Sequence, residues 1–149
     1  MNILEEFDRH LSGRELLQRL IDRREQPPIF KTMGIALVEV GDGTVVFEGT
    51  PGLHVYNPIG TVHGGYAATL LDSACGCAVH TKLAPDQAYT TLELKVAYHR
   101  AMTKETGVVR AEGKVINIGR RVGYSEARLV DAAGKLYASA TSTLLILPR

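Results

Sequence analysis

The chain has 149 residues, 45% of them hydrophobic and 22% charged, with a formal net charge of +1. That length suits one domain with a sizeable core, and the near-neutral balance argues against a broad nucleic-acid footprint, so any anion binding has to be local. The acidic start, Met-Asn-Ile-Leu-Glu-Glu-Phe-Asp, has neither the basic nor the apolar region of a secretion signal, and no apolar run is long enough to span a bilayer; the expectation is a soluble cytoplasmic protein with no membrane partner.

Residues 2–24 read as helical. Ile3, Leu4, Phe7 and Leu11 share a face, and Leu16, Leu17, Leu20 and Ile21 resume it. Ser12-Gly13-Arg14-Glu15 has the form of a capping box, which places a break near Ser12 and starts a second short helix. Pro27-Pro28 ends it. Residues 1–26 are therefore expected to be an N-terminal helical extension and residues 27–149 the main domain. A two-helix DNA reader would need a basic surplus that this stretch lacks.

From Met33 the apolar period becomes two. Ile35, Leu37 and Val40 lead into Gly41-Asp42-Gly43, and Val45, Phe47 and Gly49 follow, a hairpin pattern. Thr50-Pro51-Gly52 closes it, and residues 53–62 are expected to form a loop around Asn57-Pro58. A long helix is expected from about His63 to about Thr81, before the turn at Pro85-Asp86. The rest reads as a meander of four strands: about Thr90 to Tyr98, Thr106 to Ile118, Arg121 to Val130 and Lys135 to Leu147. The economical arrangement is an α+β fold, a curved antiparallel sheet wrapped around one long helix.

The long helix carries the candidate chemistry. From Gly64 to His80 every side chain is small, apolar or uncharged polar except Asp72 and His80. A lone carboxylate in such a segment is costly unless it is paired or put to use. The glycines before it leave backbone N–H groups at a helix start, where anions bind. Together they suggest acyl-transfer or hydrolytic chemistry. Gly64 and Asp72 lie about 12 Å apart along one helix, at about 1.5 Å per residue. A reacting atom must sit about 3 Å from both groups. A second copy of the helix, antiparallel across a two-fold axis, would meet that condition, so the expectation is a symmetric dimer with two composite sites. It would also cover a helix that is apolar nearly all round.

Cys75 and Cys77 are too close for a Cys-x-x-Cys motif and read as apolar thiols with no disulfide framework. The five histidines show no ligand spacing, so no metal is expected.

The string Asn57-x-x-Gly60-Thr61-x-His63-Gly64-Gly65, with Asp72 after it, resembles the hotdog-fold acyl-CoA thioesterases of the phenylacetate-degradation (PaaI-like) type. The similarity spans about Phe30 to Leu147 and includes the strand Thr91 to Tyr98 and Gly119-Arg120. The resemblance implies a hotdog fold, hydrolysis of an acyl-CoA to free acid and coenzyme A without a further cofactor, a homodimer, and a dimer of dimers as homotetramer. It places Asp72 as general base or nucleophile and the Gly64 N–H as oxyanion donor. Asn57 falls where an amide orients the thioester or water, and Thr91 where a hydroxyl positions water or the acid. His63 would orient the loop or hydrogen-bond near the site. Gly65 and Tyr66 would approach the substrate, and Gly119, Arg120 and Arg121 would meet the phosphates of coenzyme A.

Each residue also has a plainer role open to it. Asn57 suits a turn before Pro58, Thr91 suits any strand, Val62, Tyr66 and Leu70 suit a core, and Gly119-Arg120-Arg121 suits a solvated turn. Two rival activities share the architecture: a 3-hydroxyacyl thioester dehydratase or hydratase, whose His-Phe-Pro-Gly string is absent here, and a non-catalytic acyl-CoA-binding module.

Overall fold

The structure, a computed structural model, describes residues 10–149, so most of the first helix expected before Ser12, its residues 2–9, lies outside the described residues. Helix α1 (Gly13–Asp22) starts at Ser12, whose hydroxyl accepts the Glu15 N–H at 3.4 Å while the Glu15 carboxylate accepts the Ser12 N–H at 2.8 Å. This reciprocal pair is the capping box that the sequence spells. Leu16, Leu17 and Leu20 of α1 are buried in the same core as the long helix. A short helix, α2 (Pro28–Met33), follows where the sequence pattern showed only a stop. Pro28 ends nothing here: it stands in the first turn of α2, where a missing N–H costs no hydrogen bond. Gly34, at φ 64°, closes α2 in the left-handed conformation.

The strands are β1 (Ile35–Val40), β2 (Thr44–Gly49), β3 (Gln87–Tyr98), β4 (Val109–Ile118), β5 (Val122–Asp131) and β6 (Leu136–Pro148). They form one antiparallel sheet in the order β1-β2-β4-β5-β6-β3. The loop expected over residues 53–62 contains a 3-10 turn at Leu53–Val55 and a bridge between Tyr56 and Val62. The simple meander expected after the helix is corrected in one respect: β3 does not neighbour β4. The long helix α3 (Gly64–His80) carries the chain away from β2, so β3 forms the far edge against β6. The segment after it returns to place β4 against β2, and hairpins then fill the sheet from β4 to β6.

Helix α3 packs against β2 through β6. Its backbone rides directly on β4, because a Cβ at Gly113 would lie 2.2 Å from the Ala74 carbonyl oxygen. Both ends are tied. The His63 N–H donates to Val55 O at 2.8 Å, and the Thr81 hydroxyl accepts the Gly43 N–H at 2.8 Å. No helix among the described residues is long and apolar enough to cross a membrane.

Candidate active site

Most of α3 is buried, but Gly64, Gly65, Ala68, Thr69, Asp72, Ser73, Cys77 and His80 are only half-buried. Their spacing of three to four residues puts them on one side of the helix. The Thr69 and Ser73 hydroxyls donate to the carbonyls four residues back, at 2.8 and 2.7 Å. They therefore give nothing to Asp72. The carboxylate instead takes a 3.1 Å hydrogen bond at Oδ1 from the Thr91 hydroxyl on β3, and Oδ2 accepts none among the described residues.

A bulge in β3 makes that contact. Thr91 pairs with Leu144 and Glu93 with Thr143, leaving Leu92 as an extra residue. In a regular strand a Thr91 facing the helix would bring Glu93, Lys95 and Ala97 to the same face. The bulge shifts the phase, so Leu94 and Val96 pack on the core and Tyr98 reaches α3, while Thr91 still reaches the acid.

A chamber of about 830 Å³ opens beside Asp72 and Thr91. It lies between the two edge strands, with Leu37 of β1 on one side and Tyr89 of β3 on the other. Helix α1 and the stretch up to α2 roof it through Leu17, Leu20, Ile21 and Phe30. Phe30 meets Phe47 edge-on, ring centroids 5.3 Å apart. Burial pushes the Cys77 thiol up to about 12, so it remains protonated; the Tyr89 hydroxyl lowers this somewhat and the Asp72 charge adds to it.

The other candidate group stands at the start of α3. His63 is the N-cap: its Nδ1 accepts the Gly65 N–H at 2.8 Å and its carbonyl accepts the Tyr66 N–H at 3.0 Å. The ring proton is thus on Nε2. The Gly64 N–H, first in the helix, has no acceptor among the described residues, as expected for a first-turn donor. Tyr98 donates to the Gly64 carbonyl at 3.0 Å.

The remaining sequence candidates do not converge on Asp72 within one chain. Asn57 is engaged in its own turn: Oδ1 accepts the N–H groups of Ile59 and Thr61 at 3.1 Å each, and Nδ2 donates to the Thr61 hydroxyl at 2.9 Å. Tyr66 is 1% exposed, with its hydroxyl over Gly49 and no hydrogen-bond partner, so it faces the core and not the chamber. Val62 and Leu70 are also core. Gly119, Arg120 and Arg121 line a separate hollow of about 490 Å³ with Asn117 and Tyr124, at the β4–β5 turn. No cluster of His, Cys, Asp or Glu side chains suited to a metal forms among the described residues. The pattern reading missed Tyr89, Cys77 and His80 as chamber walls. One signal was present: His80 lies eight residues past Asp72, near the same side of a helix.

The sequence pattern of the thioesterase superfamily matches residues 59–138. The chain is 29% identical over 116 residues to a 1,4-dihydroxy-2-naphthoyl-CoA hydrolase of Listeria monocytogenes, covering 78% of this chain and 93% of that protein. Among solved structures it resembles a point mutant of the phenylacetic acid degradation protein PaaI of Thermus thermophilus, with a TM-score of 0.72 and 27% identity over 80% of this chain and 98% of that one. A thioesterase family protein of Silicibacter pomeroyi matches with a TM-score of 0.80 over 93% of this chain and 100% of that one; at 23% identity this likeness speaks to the fold alone.

Proposed function

The chain belongs to the thioesterase superfamily and is a hotdog-fold thioester hydrolase, and from that membership we propose that it converts an acyl-CoA to free acid and coenzyme A in a site built by two copies of the chain. Asp72 of one copy is the general base. Its Oδ2 takes a proton from water as the water oxygen attacks the thioester carbonyl. The charge that develops on the carbonyl oxygen meets the Gly64 N–H at the helix start of the second copy. Collapse of the tetrahedral species breaks the C–S bond, and the departing thiolate takes up the proton.

The observation that carries this reading is the arrangement at Asp72. Among the described residues a single hydrogen bond, from Thr91, engages one carboxylate oxygen, and Asp72 lines a chamber. Two features support the second copy. The outer edge of β3 is unpaired among the described residues, and its Leu92 and Tyr98 are 57% and 56% exposed; an open edge of this kind templates strand pairing. The free Gly64 N–H also lies too far along the helix to serve its own Asp72. His63 holds the Gly65 N–H and so fixes the helix start. Asn57 shapes the loop before it. Arg120 and Arg121, neither in an ion pair among the described residues, are placed to meet coenzyme A phosphates at the β4–β5 turn.

Mixed dimers test the proposal. Asp72→Asn and Gly64→Pro protomers are each expected to release almost no thiol from acyl-CoA. A heterodimer of the two keeps one intact site, so random mixing should restore about a quarter of wild-type turnover. Absence of recovery in verified heterodimers overturns the shared site.

A further inference from the structure

Strand β3 touches α3 at both of its reactive positions. Thr91 meets Asp72, and further along the strand Tyr98 meets Gly64. The hydrolytic step gives Tyr98 no task. The bulge at Leu92 turns it inward, because Tyr98 pairs with Ala138, which is 1% exposed. In a regular strand in phase with Thr91, Ala97 would take that side and Tyr98 would point away from the helix.

The helix start needs a hold from outside itself. Two glycines in succession, Gly64 and Gly65, open α3, and glycine restrains its backbone less than any other residue. The local bonds all run through His63. Its N–H donates to Val55 O at 2.8 Å, its carbonyl accepts the Tyr66 N–H at 3.0 Å, and its Nδ1 accepts the Gly65 N–H at 2.8 Å. His63 is itself exposed. Tyr98 brings a contact from elsewhere in the fold. Its hydroxyl donates to the Gly64 carbonyl at 3.0 Å. Its ring covers the side on which Gly64 has no side chain, since a Cβ there would lie 3.1 Å from Cζ and 3.1 Å from the hydroxyl oxygen. The peptides on both sides of the Gly64 Cα are thus engaged, one by the cap and one by the strand. A peptide is planar, so a bond to the Gly64 carbonyl also orients the Gly65 N–H that His63 accepts.

We propose that Tyr98 is a positioning residue for the oxyanion donor: it clamps the Gly64–Gly65 peptide so that the Gly64 N–H keeps one direction. This rests on the hydrolase reading, which gives that N–H its task. Anion binding at a helix start tolerates some sway. An oxyanion donor works because it is already aimed when charge develops, within about 0.5 Å of the productive geometry. A phenol suits the task, since it donates to the carbonyl and leaves the neighbouring N–H open. In the two-copy site, β3 of each chain orients the acid of one composite site through Thr91 and the donor of the other through Tyr98.

The test compares Tyr98→Phe, which keeps the ring and loses only the hydroxyl, with the wild-type protein, both verified as dimers by sedimentation. Thiol release is followed with phenylacetyl-CoA and hexanoyl-CoA. The expected result is a fall in kcat of about fivefold with KM nearly unchanged, the signature of a lost transition-state interaction worth one hydrogen bond. Nitrogen-15 relaxation reads the clamp apart from activity. The order parameters of the Gly64 and Gly65 N–H groups, about 0.85 for rigid backbone, should drop toward about 0.6 in Tyr98→Phe, while that of Asp72 stays. The loss should also multiply with that of Thr91→Val, because the two side chains act on separate groups. Unchanged kcat, unchanged order parameters at both glycines, or a loss absent from the Thr91→Val background overturns the assignment. Wild-type turnover with unchanged kcat in Tyr98→Phe removes only this inference; wild-type protein that releases no thiol from either ester removes the hydrolase reading and this inference with it.

Discussion

The middle of α3 and its first turn are built by different means. At Asp72 the site is tertiary: the hydroxyl that holds the acid comes from β3, and the chamber beside it is closed by α1, α2 and both edge strands. At Gly64 it is local: His63, one residue before the helix, accepts the N–H groups of Gly65 and Tyr66, and the Gly64 N–H has no acceptor among the described residues. An acid needs neighbours from distant sequence to be oriented and partly desolvated. An anion-binding helix start needs only a cap and small residues. In the proposed reaction one helix therefore carries both halves of the site, and another copy has to bring them together.

Substitutions at the two ends break this comparison most directly. Asp72→Asn should lower thiol release about 10³-fold with an unchanged circular dichroism spectrum, within the range of general-base catalysis; a loss of less than tenfold would remove Asp72 from the chemistry. Gly64→Pro should lower it about 10²-fold by deleting one N–H. The backbone suits that change, since Pro is favoured at the first position and His63, at φ −62° and ψ 136°, has the conformation that a following Pro requires; the Tyr98 ring, 3.1 Å from a Cβ at Gly64, has to shift by a few tenths of an ångström. Retained activity in a folded Gly64→Pro dimer would show that another donor serves the oxyanion.

Smaller changes sharpen the difference between the two ends. Thr91→Val keeps the shape of the strand residue and deletes the hydrogen bond to Asp72, so kcat should fall about tenfold with little change in KM. His80→Gln tests how dry the acid end is. The folded state holds His80 near 4 against an ordinary 6.5, so the unfolded chain binds the proton first. Stability supplied by the neutral ring is complete above pH 6.5 and is lost as pH falls from there toward 4. Wild-type protein should lose roughly 1 kcal/mol more than His80→Gln between pH 7 and 4.5, the reduced figure reflecting a ring that faces a chamber. Thermal melts across that range measure it, and parallel curves would mean that the ring is already solvated.

The sequence was legible where chemistry and period coincide along the chain. Ser12 and Glu15 spell the cap of α1, Gly41-Asp42-Gly43 spells the first hairpin, and His63 to Thr81 bounds α3 to within a residue. The spacing of Ile35, Leu37 and Val40, two and then three, also carried the bulge that falls between Leu37 and Glu39, although it reads at first as an imperfect strand. Pro27-Pro28 misled, because a residue that stops one helix also starts the next.

What the sequence alone determined was the cap of α1, the long helix with Asp72 and Gly64 on it, the first hairpin and the approximate strands, because helix caps, turns and apolar period depend on residues close in the chain. Tertiary structure alone decided three further things: that β3 borders β6, that Leu92 is squeezed out of register so Thr91 meets Asp72, and that α1 roofs a chamber walled by Tyr89 and His80. Alternation states which face of a strand is buried. It carries no information about the neighbour of that strand, or about a one-residue slip that turns a side chain toward an acid nineteen positions away.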